Sequence, residues 1–299
     1  MIAGIIDIGS NTTKAFVYRI EEKTITYLNK KEIFAYLMTH NQNGTMSEEG
    51  IGILVEAGMQ LKNFLISQSC DVIFAYATSA VRDAQNNSLI REKFREHTGL
   101  DLDILSEEQE AECDYYSLRY YTGAQKGLGL DLGGGSGQIF SFDEHSVSES
   151  VSLPIGILRT KNLIVAGDFP TETEFDAIDR HILDILKRTD RITQHRYPKI
   201  MIMGGTATTL LAVMKALGLV KSNACSVAFE QMQQAKELLL AKEATLYDFL
   251  HDHASGREYT TLPGICVLQT IGRYFSVDSY EIFSNGSREG YLISKGLFD

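Results

Sequence analysis

Two stretches of the chain share one pattern: Gly4-Ile-Ile-Asp7-Ile-Gly9-Ser10-Asn11-Thr12-Thr13-Lys14-Ala-Phe-Val17 and Gly129-Leu-Asp131-Leu-Gly133-Gly134-Gly135-Ser136-Gly137-Gln138-Ile-Phe140. In each, apolar residues that read as a buried strand run into Asp, small residues supply a tight turn, and β-favouring residues carry the chain back. A single hairpin of this kind signifies little. The same hairpin at the head of each half implies an internal duplication and therefore two related α/β domains. The remaining pattern alternates accordingly. Strands are predicted near 14–20, 24–38 and 72–77 and helices near 47–66, 88–98 and 107–121; the second half adds a strand near 200–203 and helices near 171–188, 206–217 and 228–241. Asn87-Ser88 reads as the cap of the helix that follows it, and Gly99 as its left-handed close.

Composition narrows the function classes. The chain has 299 residues, 44% hydrophobic and 22% charged, enough apolar mass for two cores. No apolar run approaches the ~20 residues of a membrane helix, and Met1-Ile-Ala-Gly4 lacks the basic start of a secretion signal, so a soluble, cytoplasmic protein without a membrane role is expected. With 28 Lys and Arg against 39 Asp and Glu, the net charge of −11 argues against binding a nucleic-acid backbone. An anionic ligand must then be held by a local site. Cys70, Cys113, Cys225 and Cys266 show no metal-ligand or disulfide spacing and read as reduced, mostly buried thiols.

Such local sites are visible. A turn of small residues exposes backbone N–H groups that converge on phosphate oxygens, which Ser10, Asn11 and Thr12 and the run Gly133, Gly134, Gly135 and Ser136 satisfy. Asp7 and Asp131, at the strand ends, would face one another across a cleft and hold a Mg²⁺ that neutralises phosphate charge; the alternative is that each accepts hydrogen bonds from its own turn. A third turn, Gly204-Gly205-Thr206, follows the apolar strand Ile200–Met203 and opens a helix, offering a further anion site. Ala77-Thr-Ser-Ala-Val-Arg82-Asp83-Ala84 leaves a buried strand and starts a helix with Arg82 near its beginning, where a guanidinium suits bidentate phosphate binding. In Ser106-Glu107-Glu108-Gln109-Glu110-Ala111-Glu112, Ser106 caps a helix whose first-turn acids suit the helix dipole; composition leaves open which glutamate does more.

Taken in order, Asp7-Ile-Gly-Ser-Asn11, Ala77-Thr-Ser-Ala-Val-Arg82-Asp-Ala84, Ser106-Glu-Glu-Gln-Glu110-Ala111, Asp131-Leu-Gly-Gly-Gly-Ser136, Ser152-Leu-Pro-Ile-Gly156-Ile-Leu-Arg159, Gly204-Gly-Thr-Ala207 and Ser287-Arg-Glu-Gly290 resemble the exopolyphosphatase/guanosine pentaphosphate phosphohydrolase (Ppx/GppA) family. The resemblance implies an α/β fold of two actin-like domains, ribonuclease H-like and related to the Hsp70 and sugar-kinase superfamily, with an interdomain cleft. It places domain I at 1–122, with a C-terminal helix 286–299 packing back on it, and domain II at 123–285, in the short two-domain form. The junction falls in 121–127, where Gly123 and Gly127 suit a hinge. The activity implied is Mg²⁺-dependent hydrolysis of the terminal phosphate of inorganic polyphosphate or guanosine pentaphosphate. Glu110 takes the catalytic position by this resemblance and would deprotonate an in-line water while Arg82 and the turns hold the phosphate. A homodimer is allowed for; no partner beyond the phosphate substrate is implied.

The sequence also departs from the family pattern. Gly137-Gln138 stands where the family has Thr-Glu, Arg257-Glu258-Tyr259 where it has Arg-Ala-Asp before Pro263-Gly264, read as a turn, and Glu112 where Arg is common. Lys14 is either a direct phosphate contact or a lysine extended from a strand edge. These departures keep two alternatives in view: a catalytically weak sensor of polyphosphate or alarmone, and an ATP-dependent enzyme of the actin-like superfamily.

Overall fold

The computed structural model of the chain describes residues 1–297 and divides into two units, Met1–Cys113 with the chain from Tyr291, and Asp114–Gly290. In the first, β1 (Ile2–Ile8), β2 (Thr12–Glu21) and β3 (Thr24–Phe34) form an antiparallel meander. β3 ends at Phe34 rather than continuing to 38, because Tyr36 turns into the left-handed region at φ 45°. A 3-10 turn at Leu37–His40 and a short hairpin, β4 (Asn41–Gln42) and β5 (Thr45–Met46), lead to α1 (Glu48–Ser67), whose first turn is capped by Ser47. β6 (Val72–Ala77) then pairs parallel to β1 and β7 (Leu102–Ile104) parallel to β6, giving the order β3-β2-β1-β6-β7. Helices α2 (Ser79–Arg82) and α3 (Asn87–Thr98) fill the crossover between them, and α4 (Glu107–Thr122) follows.

Strand alternation sorts the side chains onto two faces. Ile6, Ile8, Ala15 and Val17 bury against Leu54, Leu61 and Phe94 of α1 and α3. Ala3, Ile5, Phe16, Tyr18 and Tyr76 point the other way, onto Leu105, Cys113, Tyr291 and Leu292. Each such aliphatic or aromatic side chain removed from water contributes roughly 1.5–3 kcal/mol. The helix starting at Asn87 is not capped by Asn87 or Ser88: Asn86 holds the N-cap position and its side chain binds Met46 backbone instead. Gly99 closes α3 at φ 68°, as its position implies.

The second unit repeats the plan. β8 (Gly127–Leu132), β9 (Gly137–Phe142) and β10 (Val147–Leu153) form the meander, and β11 (Lys199–Met203) and β13 (Ser279–Ile282) add in parallel; β12 (Ser226–Ala228) closes the edge, giving β10-β9-β8-β11-β13-β12. Gly127 is thus a strand residue rather than part of a loop. Helices α5 (Ile157–Ile164), α6 (Glu172–Arg188), α7 (Gly204–Ala216), α8 (Phe229–Leu240) and α9 (Leu246–His253) surround α10 (Glu258–Phe275), whose residues 261–272 are all buried. Pro263-Gly264 lies inside α10 and makes no turn. Among the cysteines, Cys113 and Cys266 are buried, Cys70 is half-buried and Cys225 is exposed, so burial holds for two of the four. Among the described residues no helix is long and apolar enough to cross a membrane.

The helix expected at 286–299 is α11 (Ser287–Ser294); residues 298–299 lie outside the described residues. Within the first unit the Tyr291 hydroxyl donates to Asp103 at 2.6 Å, and Lys295 Nζ reaches the same oxygen at 2.7 Å. Burial alone would raise the Asp103 carboxyl, but Lys295 and Tyr291 together hold it below its ordinary 3.8. A depressed folded-state carboxyl stabilises above the unfolded value and loses that effect as pH falls through the folded one. Asp103→Ala is therefore expected to lower stability by about 1–2 kcal/mol at pH 7. In urea unfolding, the gap to wild type should narrow progressively below about pH 4.

Candidate active site

The two Asp-x-Gly hairpins close in the same way. Gly9 N–H donates to Thr12 carbonyl oxygen at 3.3 Å in the first unit, and Gly133 N–H to Ser136 carbonyl oxygen at 3.0 Å in the second. The sequence duplication is thus a duplication of backbone hydrogen bonds. In the first unit the turn is braced from behind: Ser10 Oγ lies 3.0 Å from Ser79 Oγ, Asn11 carbonyl accepts from Ala35 and Tyr36, and Ser10 carbonyl accepts from Met38. Asp7, next to last in β1, is half-buried and lies opposite Lys14 in the sheet register.

Lys14 Nζ sits 3.2 Å from Glu32 on β3, and Lys30 holds the same carboxylate at 3.2 Å. Glu32 is partly desolvated, yet these two ammonium groups keep it below the usual carboxylate range. A phosphate reaching Lys14 competes with Glu32 for it.

Arg82 stands at the end of α2, not at a helix start, since its N–H already donates to Thr78. What its position provides is a partner: Arg82 Nη1 donates to Glu110 Oε2 at 2.7 Å, while Nε reaches Asp83 at 3.2 Å. The side chains of Arg82 and Glu110 are only 14% and 18% exposed. Burial disfavours the Arg82 charge, but Glu110 and Asp83 outweigh it and hold the guanidinium proton above the ordinary arginine value. The other acids near the start of α4 divide clearly. Gln109 N–H donates to Ser106 Oγ and the Gln109 side chain accepts from Ser106 N–H, a reciprocal cap, while Glu108 accepts from the Ser106 hydroxyl. Glu112 is exposed. Glu110 carries a charge-assisted bond to Arg82.

In the second unit, Gly133 and Gly134 are exposed at the turn tip, and a Cβ on Gly134 would meet only Leu158 Cβ at 3.7 Å, an ordinary contact. Nothing in the packing demands glycine there, and the backbone is open to approach. Behind the turn, Gly156 is demanded by packing: a Cβ on it would fall 2.2 Å from Gly135 carbonyl carbon and 2.4 Å from Ser136 nitrogen. Ile157 and Arg159 N–H groups bind Gly133 and Gly134 carbonyls at 3.0 Å, so the head of α5 fixes the turn's shape. Gly156 and Arg159 occur in a recognised motif, but only this contact shows what Gly156 does.

Asp131 Oδ1 occupies the space that a Cβ on Gly204 would fill, at 2.5 Å, and Gly204 has φ +89°. The carboxylate therefore borders the Gly204-Gly205-Thr206 turn that opens α7. Arg257, which the sequence reading left without a role, lies over that turn: its guanidinium would meet a Cβ on Gly205, and Nη1 is 3.5 Å from Thr206 Oγ1. Thr206, Arg257, Thr260 and Thr261 line a small cavity there. A guanidinium beside a helix N-terminus is an environment for an anion. Gln138 pairs with Asp131 across β8 and β9 and is buried, contributing a neutral amide beside the carboxylate. Among the described residues, no three His, Cys, Asp or Glu side chains cluster as metal ligands.

A sequence model of the Ppx/GppA phosphatase family matches residues 16–297. Exopolyphosphatase 1 of Mycobacterium tuberculosis is 24% identical over 304 residues, covering 99% of this chain and 88% of that protein. Its Mycobacterium leprae counterpart is 24% identical over 305 residues, covering 99% and 89%. Among solved structures, a Ppx/GppA family member from Aquifex aeolicus superposes with a TM-score of 0.79 at 22% identity, covering 99% of this chain and 98% of that one. An exopolyphosphatase from Cytophaga hutchinsonii gives 0.82 at 18%, covering 99% and 97%. At such identities the superpositions establish the two-domain α/β fold.

Gly156→Ala is expected to displace the Gly133–Ser136 turn. It should lower stability by about 1–3 kcal/mol in urea unfolding and weaken inorganic phosphate binding at least severalfold by calorimetry.

Proposed function

The chain belongs to the Ppx/GppA phosphatase family, and from that premise we propose that it is a phosphohydrolase that removes the terminal phosphate of a linear phosphoanhydride, inorganic polyphosphate or guanosine pentaphosphate. The observation that carries the reading is the sheltered Arg82–Glu110 pair in the same unit as the braced Gly9–Thr12 turn. The names of the Mycobacterium and Cytophaga relatives point to polyphosphate.

Glu110 is the base of this proposal. Phosphoryl transfer asks little covalent help, so positioning and charge neutralisation carry the rate. In the resting protein the carboxylate accepts from Arg82. An incoming terminal phosphate presents a second set of oxygens to the same guanidinium. Arg82 then turns its donors toward the phosphate, and Glu110, released from that contact, orients a water and takes its proton as the oxygen attacks phosphorus. The proton ends on Glu110, and the phosphoanhydride oxygen leaves with its electron pair. Coupling the base's release to phosphate binding disfavours idle proton transfer. N–H groups of the turns at Ser10–Thr12, Gly133–Ser136 and Gly204–Thr206 are proposed to hold phosphate oxygens, with Arg257 assisting the last of these.

Mg²⁺ suits this donor set. Asp7 and Asp131 each present a hard oxygen at a strand end, and the left-handed Gly204 leaves the space in which the Asp131 carboxylate sits. Either carboxylate, within its own unit, would hold an ion with water and substrate oxygens as further ligands, and the bound ion would neutralise phosphate charge. Gln138, opposite Asp131, supplies no charge there, so binding at Asp131 weaker than with a carboxylate in its place follows.

The test is phosphate release from tripolyphosphate with Mg²⁺. Glu110→Gln keeps an acceptor for Arg82 and is expected to retain the urea midpoint while kcat falls about 10²–10⁴-fold. Arg82→Lys, which loses the planar fork, should lower kcat/KM by about 10²–10³-fold. A well-folded Glu110→Gln protein with wild-type turnover would overturn the assignment.

A further inference from the structure

Phosphate-binding turns account for the charged part of a ligand and leave its remainder unassigned. Beside the first turn stands an aromatic pair that the reaction does not use. Phe34 ends β3 directly opposite Thr12, and the Lys14–Glu32 contact two residues further along shows which face this is: Thr12, Lys14, Glu32 and Phe34 share it. Two residues beyond, the Tyr36 ring stacks on Phe34 with centroids 6.0 Å apart and planes 26° from parallel. Phe34 is 66% exposed and Tyr36 50% exposed.

Three features set this pair apart from incidental surface hydrophobics. Tyr36 has φ 45°, a region that a bulky residue occupies only when the surroundings impose it. What imposes it is the turn itself, because Ala35 and Tyr36 N–H groups both donate to Asn11 carbonyl, at 3.1 and 2.9 Å, and Met38 N–H to Ser10 carbonyl at 3.0 Å. The platform is therefore bolted to the residues proposed to contact phosphate. Tyr27, the other exposed aromatic of β3, is as exposed as Tyr36 but packs its edge on buried Tyr18, whereas Phe34 and Tyr36 stack on each other beside the turn.

We infer that Phe34 and Tyr36 form a stacking platform for the planar base of a nucleoside polyphosphate whose phosphates lie at the Ser10–Thr12 turn. The inference rests on the phosphohydrolase reading and makes these two side chains its specificity determinants, favouring a base-bearing phosphate chain over a bare one. Stacking on an aromatic face tolerates any base, so purine selection is not part of the claim.

Guanosine 5′-triphosphate, adenosine 5′-triphosphate and inorganic tripolyphosphate carry the same number of phosphates and differ in the nucleoside. Calorimetric titration of each into the full chain, and into Phe34→Ala and Tyr36→Ala, separates the contributions. Wild type should bind both nucleotides at least about fivefold tighter than tripolyphosphate, and each variant should lose about 5- to 30-fold for the nucleotides while tripolyphosphate affinity stays within about twofold. Unchanged nucleotide affinity in both variants overturns the platform. So does an equal loss for all three ligands, which would mean that the pair only props the turn, or a dimer that dissociates on Phe34→Ala in sedimentation. Failure of wild type to bind or cleave any of the three overturns the phosphohydrolase reading itself, and is distinguishable from nucleotide-specific failure.

Discussion

A guanidinium and a carboxylate 2.7 Å apart, both largely withdrawn from water, organise the first unit's chemistry. Arg82 closes the short helix after β6 and Glu110 sits in the first turn of α4, so their contact ties two chain segments to one point beside the strand ends. Truncating Glu110 altogether would leave the sheltered Arg82 guanidinium with Asp83 as its ion-pair partner, whereas an amide in its place keeps an acceptor. In the proposed mechanism, an anion with better geometry for Arg82 than a single carboxylate oxygen would free Glu110 to act as the base.

The duplication divides labour between two copies of one strand plan. Both units run an antiparallel meander into parallel strands, and both close the first hairpin by the same N–H to carbonyl bond. They differ in what surrounds that hairpin. In the first, charged side chains dominate: the Arg82–Glu110 pair and Lys14 balanced against Glu32. In the second, backbone does: Gly134 open to approach, Gly156 pressed against the turn from behind, and the start of α7 with Arg257 above it.

Much of this was legible in the sequence wherever the signal was local. The hairpin motif, the amphipathic α1, α3 and α6, and the Ser106 cap depend on neighbours a few residues away. The choice of Glu110 among four glutamates came from family resemblance, and its physical basis is a partner 28 residues distant that no periodicity reveals. Helix α10 escaped because a helix buried on all sides has no polar face to set a period, and Pro263-Gly264 imitates a turn. The role of Gly156 lies in a close approach between segments, and the engagement of Lys14 depends on a cross-strand register that places Glu32 opposite it. Arg82's place at the end of a four-residue helix was missed because a turn of helix and the start of a longer one share the same local residues.

The release of Glu110 is open to direct observation. A crystal structure with a methylene-bridged, uncleavable analogue of tripolyphosphate and Mg²⁺ is predicted to show analogue oxygens on the Arg82 guanidinium and the Glu110 carboxylate turned from it onto an ordered water. An analogue bound elsewhere in the first unit, with the Arg82–Glu110 contact intact at its resting 2.7 Å, would contradict the account.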